Sequence, residues 1–113
     1  MKMSVTELDE RLTLIALDGR MDLEGTQAID QQFGFQTTTQ KRNLVIDLSQ
    51  VSFLASIGIR TLLTAARGQS SRGGKLVLAA PEPMVRKVLD STGVDQIIPI
   101  YPDVAAARAA FPA

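Results

Sequence analysis

The side chains that could do chemistry in this sequence fall into three groups: the carboxylates Asp18, Asp22 and Asp47, the glycine-rich stretch Gly68–Lys75, and Ser56. Asp47 closes the apolar run Leu44-Val45-Ile46, a position from which an aspartate can accept a phosphoryl group beside bound Mg²⁺. Such a centre also needs an acidic pair nearby and a lysine late in the chain. Here Asp18 and Asp22 are split by Gly19-Arg20-Met21, and no suitable lysine follows the last apolar run. The simpler reading has Asp47 accepting backbone hydrogen bonds at a turn. The glycine-rich stretch fails as a phosphate loop, which needs four residues between its first Gly and Gly-Lys, then Ser or Thr. Five intervene between Gly68 and Gly74, and Leu76 follows Lys75.

Ser56 is different. It stands where Val51-Ser52-Phe53-Leu54-Ala55 runs into the strongest helical pattern of the chain. A serine there serves first as an N-cap, accepting from a free amide two or three residues on. The same free amides and the positive end of the helix dipole also suit a phosphorylated hydroxyl. Gly58 adds backbone that a partner can approach closely. Ile57 lies about 120–180° around the helix from the apolar positions Ile59, Leu62, Leu63 and Ala66. It shares its face with Arg60, Thr61 and Thr64, which makes it an apolar anchor on a wet face.

Composition narrows the chemistry further. Of 113 residues none is Cys, His or Trp, and the aromatics are four Phe and one Tyr. Disulfides, thiol nucleophiles, serine–histidine triads and His/Cys metal sites are excluded together. Twelve basic and twelve acidic residues leave a formal net charge of zero. Nucleic-acid backbone binding, which rests on clustered Lys and Arg, is not expected. No apolar run approaches the roughly 20 residues of a membrane span, and no signal-peptide pattern opens the chain. The expectation is a cytoplasmic protein without membrane insertion, one domain over residues 1–113.

The elements that must position these residues alternate. A hairpin is predicted from Val5–Leu8 and Leu12–Leu17 around Asp9-Glu10-Arg11, then a helix over Leu23–Gln36 with Ile29 and Phe33 on one face. Strands follow at Leu44–Leu48 and Lys75–Ala79, with the Ser56–Ser71 helix between them. A helix from Pro83 through Leu89 should turn Met84, Val85, Val88 and Leu89 inward and stop at Gly93. Ile97–Tyr101 reads as an edge strand because of Pro99, and Val104–Ala110 as a closing helix. The order β-β-α-β-α-β-α-β-α implies an α/β domain with a mixed, mostly parallel sheet of about five strands and about four helices.

Val45-Ile46-Asp47-Leu48-Ser49, followed by Val51-Ser52-Phe53-Leu54-Ala55-Ser56-Ile57-Gly58, resembles the signature of STAS domains, the anti-sigma factor antagonists. Gly19-Arg20-Met21-Asp22 is similar to that family's Gly-x-Leu/Met-Asp element. Pro83–Leu89, with Gly93 and Ile97-Ile98 beyond, looks like its third helix and last strand, so the likeness runs over roughly residues 4 to 111. It implies a STAS fold and a partner-switching role in signal transduction and transcription regulation. By position it makes Ser56 the phosphoacceptor of an anti-sigma-factor serine kinase of the GHKL type, reset by a PP2C-type serine phosphatase. It also borders that serine with Arg20, Met21 and Asp22, which with Ile57, Gly58 and Arg60 make the expected partner-binding surface. No cofactor and no catalytic activity are implied, and the chain is expected to be a monomer or weak dimer. Two departures stand out: Ala55 replaces the family's aspartate, and Ile57 its second hydroxyl residue. Two other readings stay open: an unphosphorylated accessory subunit of a transporter, and a small ligand sensor or carboxylate enzyme using Asp18, Asp22 and Asp47.

Overall fold

The computed structural model describes residues 1–111, so the last two positions of the expected 1–113 domain lie outside the described residues. The elements run β1 (Lys2–Asp9), β2 (Leu12–Met21), α1 (Leu23–Thr38), β3 (Asn43–Leu54), α2 (Ser56–Ser71), β4 (Lys75–Ala79), α3 (Pro83–Ser91), a 3-10 turn (Val94–Gln96), β5 (Ile100–Tyr101) and α4 (Val104–Ala109). They form one five-stranded sheet in the order β1-β2-β3-β4-β5. Only the β1–β2 pair is antiparallel; the other pairs are parallel. The expected α/β order holds, and β3 and β4 lie inside the sheet, away from its edges.

Alternation along the strands makes two cores. Ile15, Leu17, Leu44, Ile46, Leu48, Leu76 and Leu78 face one side, under Ile29 and Phe33 of α1, Leu62 and Ala65 of α2, and Val85 and Leu89 of α3. Leu12, Val45, Val77 and Ala79 face the other, beneath Ala107 and Val104 of α4. The parallel strands are buried on both faces and therefore read as unbroken apolar runs.

Four expectations shift. Helix α1 runs on to Thr38 instead of ending at Gln36, because Thr37, Thr38 and Thr39 each donate a hydroxyl to the carbonyl four residues back. The buried stripe of α2 passes through Gly58, Leu62, Ala65 and Gln69; Ile59, Leu63 and Ala66 are half-buried flanks packed on the core. Met84 is 68% exposed: it lies one turn before Val88, and only the later residue reaches the core. The last strand shrinks to Ile100–Tyr101, since Val94–Gln96 coils into a 3-10 turn once Gly93, at φ 81°, has ended α3.

Gln69 locks this arrangement. It is fully buried, and its Oε1 accepts from the Arg42 amide at 2.7 Å. Its Nε2 donates to the carbonyls of Thr37 at 2.6 Å and Gln40 at 2.9 Å. One side chain thus ties the end of α2 to the α1–β3 connection. Gln69→Leu strands the buried Thr37 carbonyl, at a cost of about 1–3 kcal/mol, and removes the partner of two part-buried groups, the Arg42 amide and the Gln40 carbonyl. Urea unfolding should show a loss of at least about 2 kcal/mol, comparable to the roughly 2–5 kcal/mol expected for Leu62→Ala. A Gln69→Leu variant as stable as the native chain contradicts this role.

Candidate functional site

Strands β2 and β3 run on together beyond β4, pairing Arg20 with Phe53 and Met21 with Leu54 at their last rungs. The Ala55 amide then donates to the Met21 carbonyl at 3.0 Å, which fixes the start of α2 against the end of β2. The residues expected on both sides of Ser56 are therefore brought together. Strand β3 reaches Leu54, so the segment read as a connection after Leu48 is mostly strand.

The first turn of α2 is open. Ser56 was expected as its N-cap, but Ala55 occupies that position, in extended conformation (φ −97°, ψ 171°), and supplies no side-chain bond. The helix starts one residue earlier than the serine rule implies, and Ser56 is its first helical residue. The earliest helical bond runs from the Ile59 amide to the Ala55 carbonyl at 3.1 Å. The amides of Ser56, Ile57 and Gly58 precede it and have no helical carbonyl to reach. No acidic residue stands in this turn, and the Ser56 side chain is exposed.

Exposure divides the remaining expected residues. Arg60 and Arg20 are exposed, Asp22 is half-buried, and Ile57 is half-buried yet belongs to neither core. Met21 and Gly58 correct the expectation of a docking surface, because both are buried and face each other. A Cβ on Gly58 would stand 2.7 Å from Met21 Cγ and 2.8 Å from a Leu54 methyl. Gly58 thus lets the helix approach the sheet, and does not present bare backbone to a partner.

Asp22 caps α1, accepting from the Gly25 amide at 2.8 Å, and pairs with Arg20 Nε at 3.3 Å. The Gly25 hydrogen bond, helped by the Arg20 guanidinium, holds its carboxyl below the ordinary aspartate range. The Arg20 guanidinium also lies 4.3 Å over the Phe53 ring, a cation–π contact that residue spacing did not suggest. Phe53 and Leu23 at this end are exposed apolar residues. Past Leu48 the burial of β3 falls on every third residue, Val51 and Leu54, so strand alternation alone does not single out the exposed Phe53. The carboxylates are not gathered: Asp47 accepts from the Ser49 amide at 2.9 Å, as expected, and Asp22 is committed to its cap. Among the described residues no group of three or more acidic, His or Cys side chains could hold a metal, and no helix is long and apolar enough to cross a membrane.

A family model described as the STAS domain matches residues 3–107. The chain belongs to that family. A Bordetella bronchiseptica protein, BtrV, provisionally named an anti-sigma factor antagonist, is 29% identical over 98% of this chain and 95% of its own length. The anti-sigma-F factor antagonist RsfB of Mycobacterium tuberculosis is 28% identical over 87% of this chain and 80% of its own. The crystal structure of an anti-sigma factor antagonist from Mycobacterium paratuberculosis superposes with a TM-score of 0.86 at 28% identity, covering 96% of this chain and 92% of that one. The STAS fold thus accounts for the joint placement of the β2 end and the α2 start.

The Asp22 cap sets a pH dependence with a definite sign. Its folded-state pKa is depressed, so its contribution is present above the ordinary aspartate range and lost as pH falls through the depressed value. Asp22→Ala should melt lower than the native chain at pH 7, and the gap should close on acidification. A gap that is constant down to pH values where carboxylates are protonated would contradict the capping role.

Proposed function

We propose that this STAS domain is an anti-sigma factor antagonist that exchanges partners through phosphorylation of Ser56. The observation that carries the reading is the exposed Ser56 hydroxyl at an uncapped helix start. A serine kinase of the GHKL type would transfer the γ-phosphoryl group of ATP to Ser56 Oγ, releasing ADP and the hydroxyl proton. A PP2C-type phosphatase would restore the hydroxyl by hydrolysis. The unmodified domain binds the anti-sigma-factor kinase, and the phosphorylated one releases it. The names of BtrV and RsfB support the antagonist role, and the charge arithmetic supports the switch. Phosphate adds about −1.5 to −2 charges at one helix end of a protein with formal net charge zero.

Docking would use the exposed and half-buried side chains around the serine. Ile57 is the apolar anchor, Arg60 and the Arg20–Asp22 pair are its charged rim, and buried Gly58 and Met21 hold the turn in place. Small interfaces gather most of their energy in a few such residues. The domain acts here as a ligand and a kinase substrate, not as a catalyst.

Incubation with the kinase and ATP should add one phosphate at Ser56, read by mass spectrometry, and Ser56→Ala should abolish it while retaining partner binding. Phosphate on Ser52 or Thr61 instead would overturn the assignment. Ile57→Asp should weaken the complex well over tenfold, because a charge must then be desolvated at the anchor. Its melt should move little, by the equivalent of about half a kcal/mol. A collapsed melt with normal binding by the folded fraction would make Ile57 a core residue.

A further inference from the structure

We infer that Arg60 is the intramolecular latch for the phosphate on Ser56, so that modification withdraws the arginine from the docking surface along with the hydroxyl. This rests on Ser56 as the phosphoacceptor and concerns where its phosphate goes. Three features of α2 converge on it. Ser56 and Arg60 are four residues apart on one helix and both exposed, so their Cβ atoms stand about 5–6 Å apart. Long helical side chains lean toward the N-terminus, which carries the Arg60 guanidinium over the turn that holds Ser56. An anion placed N-terminal to a cation at this spacing is also the favourable orientation, because it accords with the helix dipole.

The surrounding charges leave this pairing free to form. Helix α2 contains no Asp or Glu, and among the described residues Arg60 makes no ion pair. Arg20 and Asp22, the other charged pair carried to this end, are engaged with each other, and Arg20 also covers Phe53. The end of the same helix shows an arginine reaching back over this interval: Arg72 Nη1 donates to the Gly68 carbonyl, four residues earlier, at 2.9 Å. Ala55, the residue before Ser56, offers no carboxylate to compete for the guanidinium or repel the phosphate.

The test installs phosphoserine at position 56 of the full chain biosynthetically and follows its second ionisation by ³¹P NMR. In the native background the midpoint should lie about 0.2–0.7 pH units below that of Arg60→Gln. Arg60→Lys should retain part of the difference, Arg67→Gln should match the native chain, and added salt should shrink the gap. Equal midpoints for the native chain and Arg60→Gln overturn the latch, as does an Arg67→Gln midpoint displaced as far as that of Arg60→Gln. Because no kinase is used, this outcome is separate from the labelling of Ser56 by its kinase. Failure of labelling removes the switch, whereas failure of the ³¹P difference removes only the latch.

Discussion

The close approach of α2 to the ends of β2 and β3 is the constraint on which the rest depends, and it exists because position 58 carries no side chain. Any Cβ there would press into Met21 and Leu54, two buried residues that end adjacent strands. Overfilling such a contact costs about 1–3 kcal/mol and moves the backbone. With Gly58 seated, the Ala55 amide reaches the Met21 carbonyl, and Ser56 is delivered to the surface beside Arg20 and Asp22. At the far end, Gln69 anchors the same helix to the α1–β3 connection. The serine is therefore presented by a rod fixed at both ends.

Two helix starts lie side by side at this end of the sheet, and they are finished differently. The first turn of α1 is closed by Asp22, whose carboxylate takes the Gly25 amide. The first turn of α2 has Ala55 in the corresponding place and no acid after it. A phosphate on Ser56, as proposed, would supply the negative charge that this turn otherwise lacks, in the place where the helix dipole favours it. Phosphorylation on this account does not need to reshape the domain. It would change the charge and the available side chains on a surface that stays where it is.

Most of the architecture was legible because parallel strands buried on both faces and α2 carry strong patterns. Leu44–Leu48 and Lys75–Ala79 could hardly be anything but central strands, and the bounds Ser56–Ser71 match the helix observed. Less legible was anything that depended on residues without apolar side chains. Gly58 and Gln69 lie on the buried stripe of α2, one for close approach and the other for three hydrogen bonds, and hydropathy counts neither. The phase drawn through Ile59, Leu62, Leu63 and Ala66 was consequently rotated toward the flank. The same blindness put Gly58 on the surface, whereas Met21 was placed there by the family resemblance and Ser56 was made a cap by the preference for serine at helix starts. Serine is the better capping residue, yet Ala55 holds that position, as the chain is still extended there. Phe53 went unnoticed because its strand was ended too early, at Leu48, and because burial beyond that point does not alternate.

The measurement that bears most directly on the central claim is the affinity of the anti-sigma-factor kinase for this domain in its two states. Isothermal titration should be run with the unmodified chain and with the chain carrying phosphoserine at position 56, at one ionic strength. The account predicts a dissociation constant raised at least tenfold by the phosphate, about 1.4 kcal/mol or more, with the fold unchanged by circular dichroism. Equal affinities in two equally folded samples would contradict it.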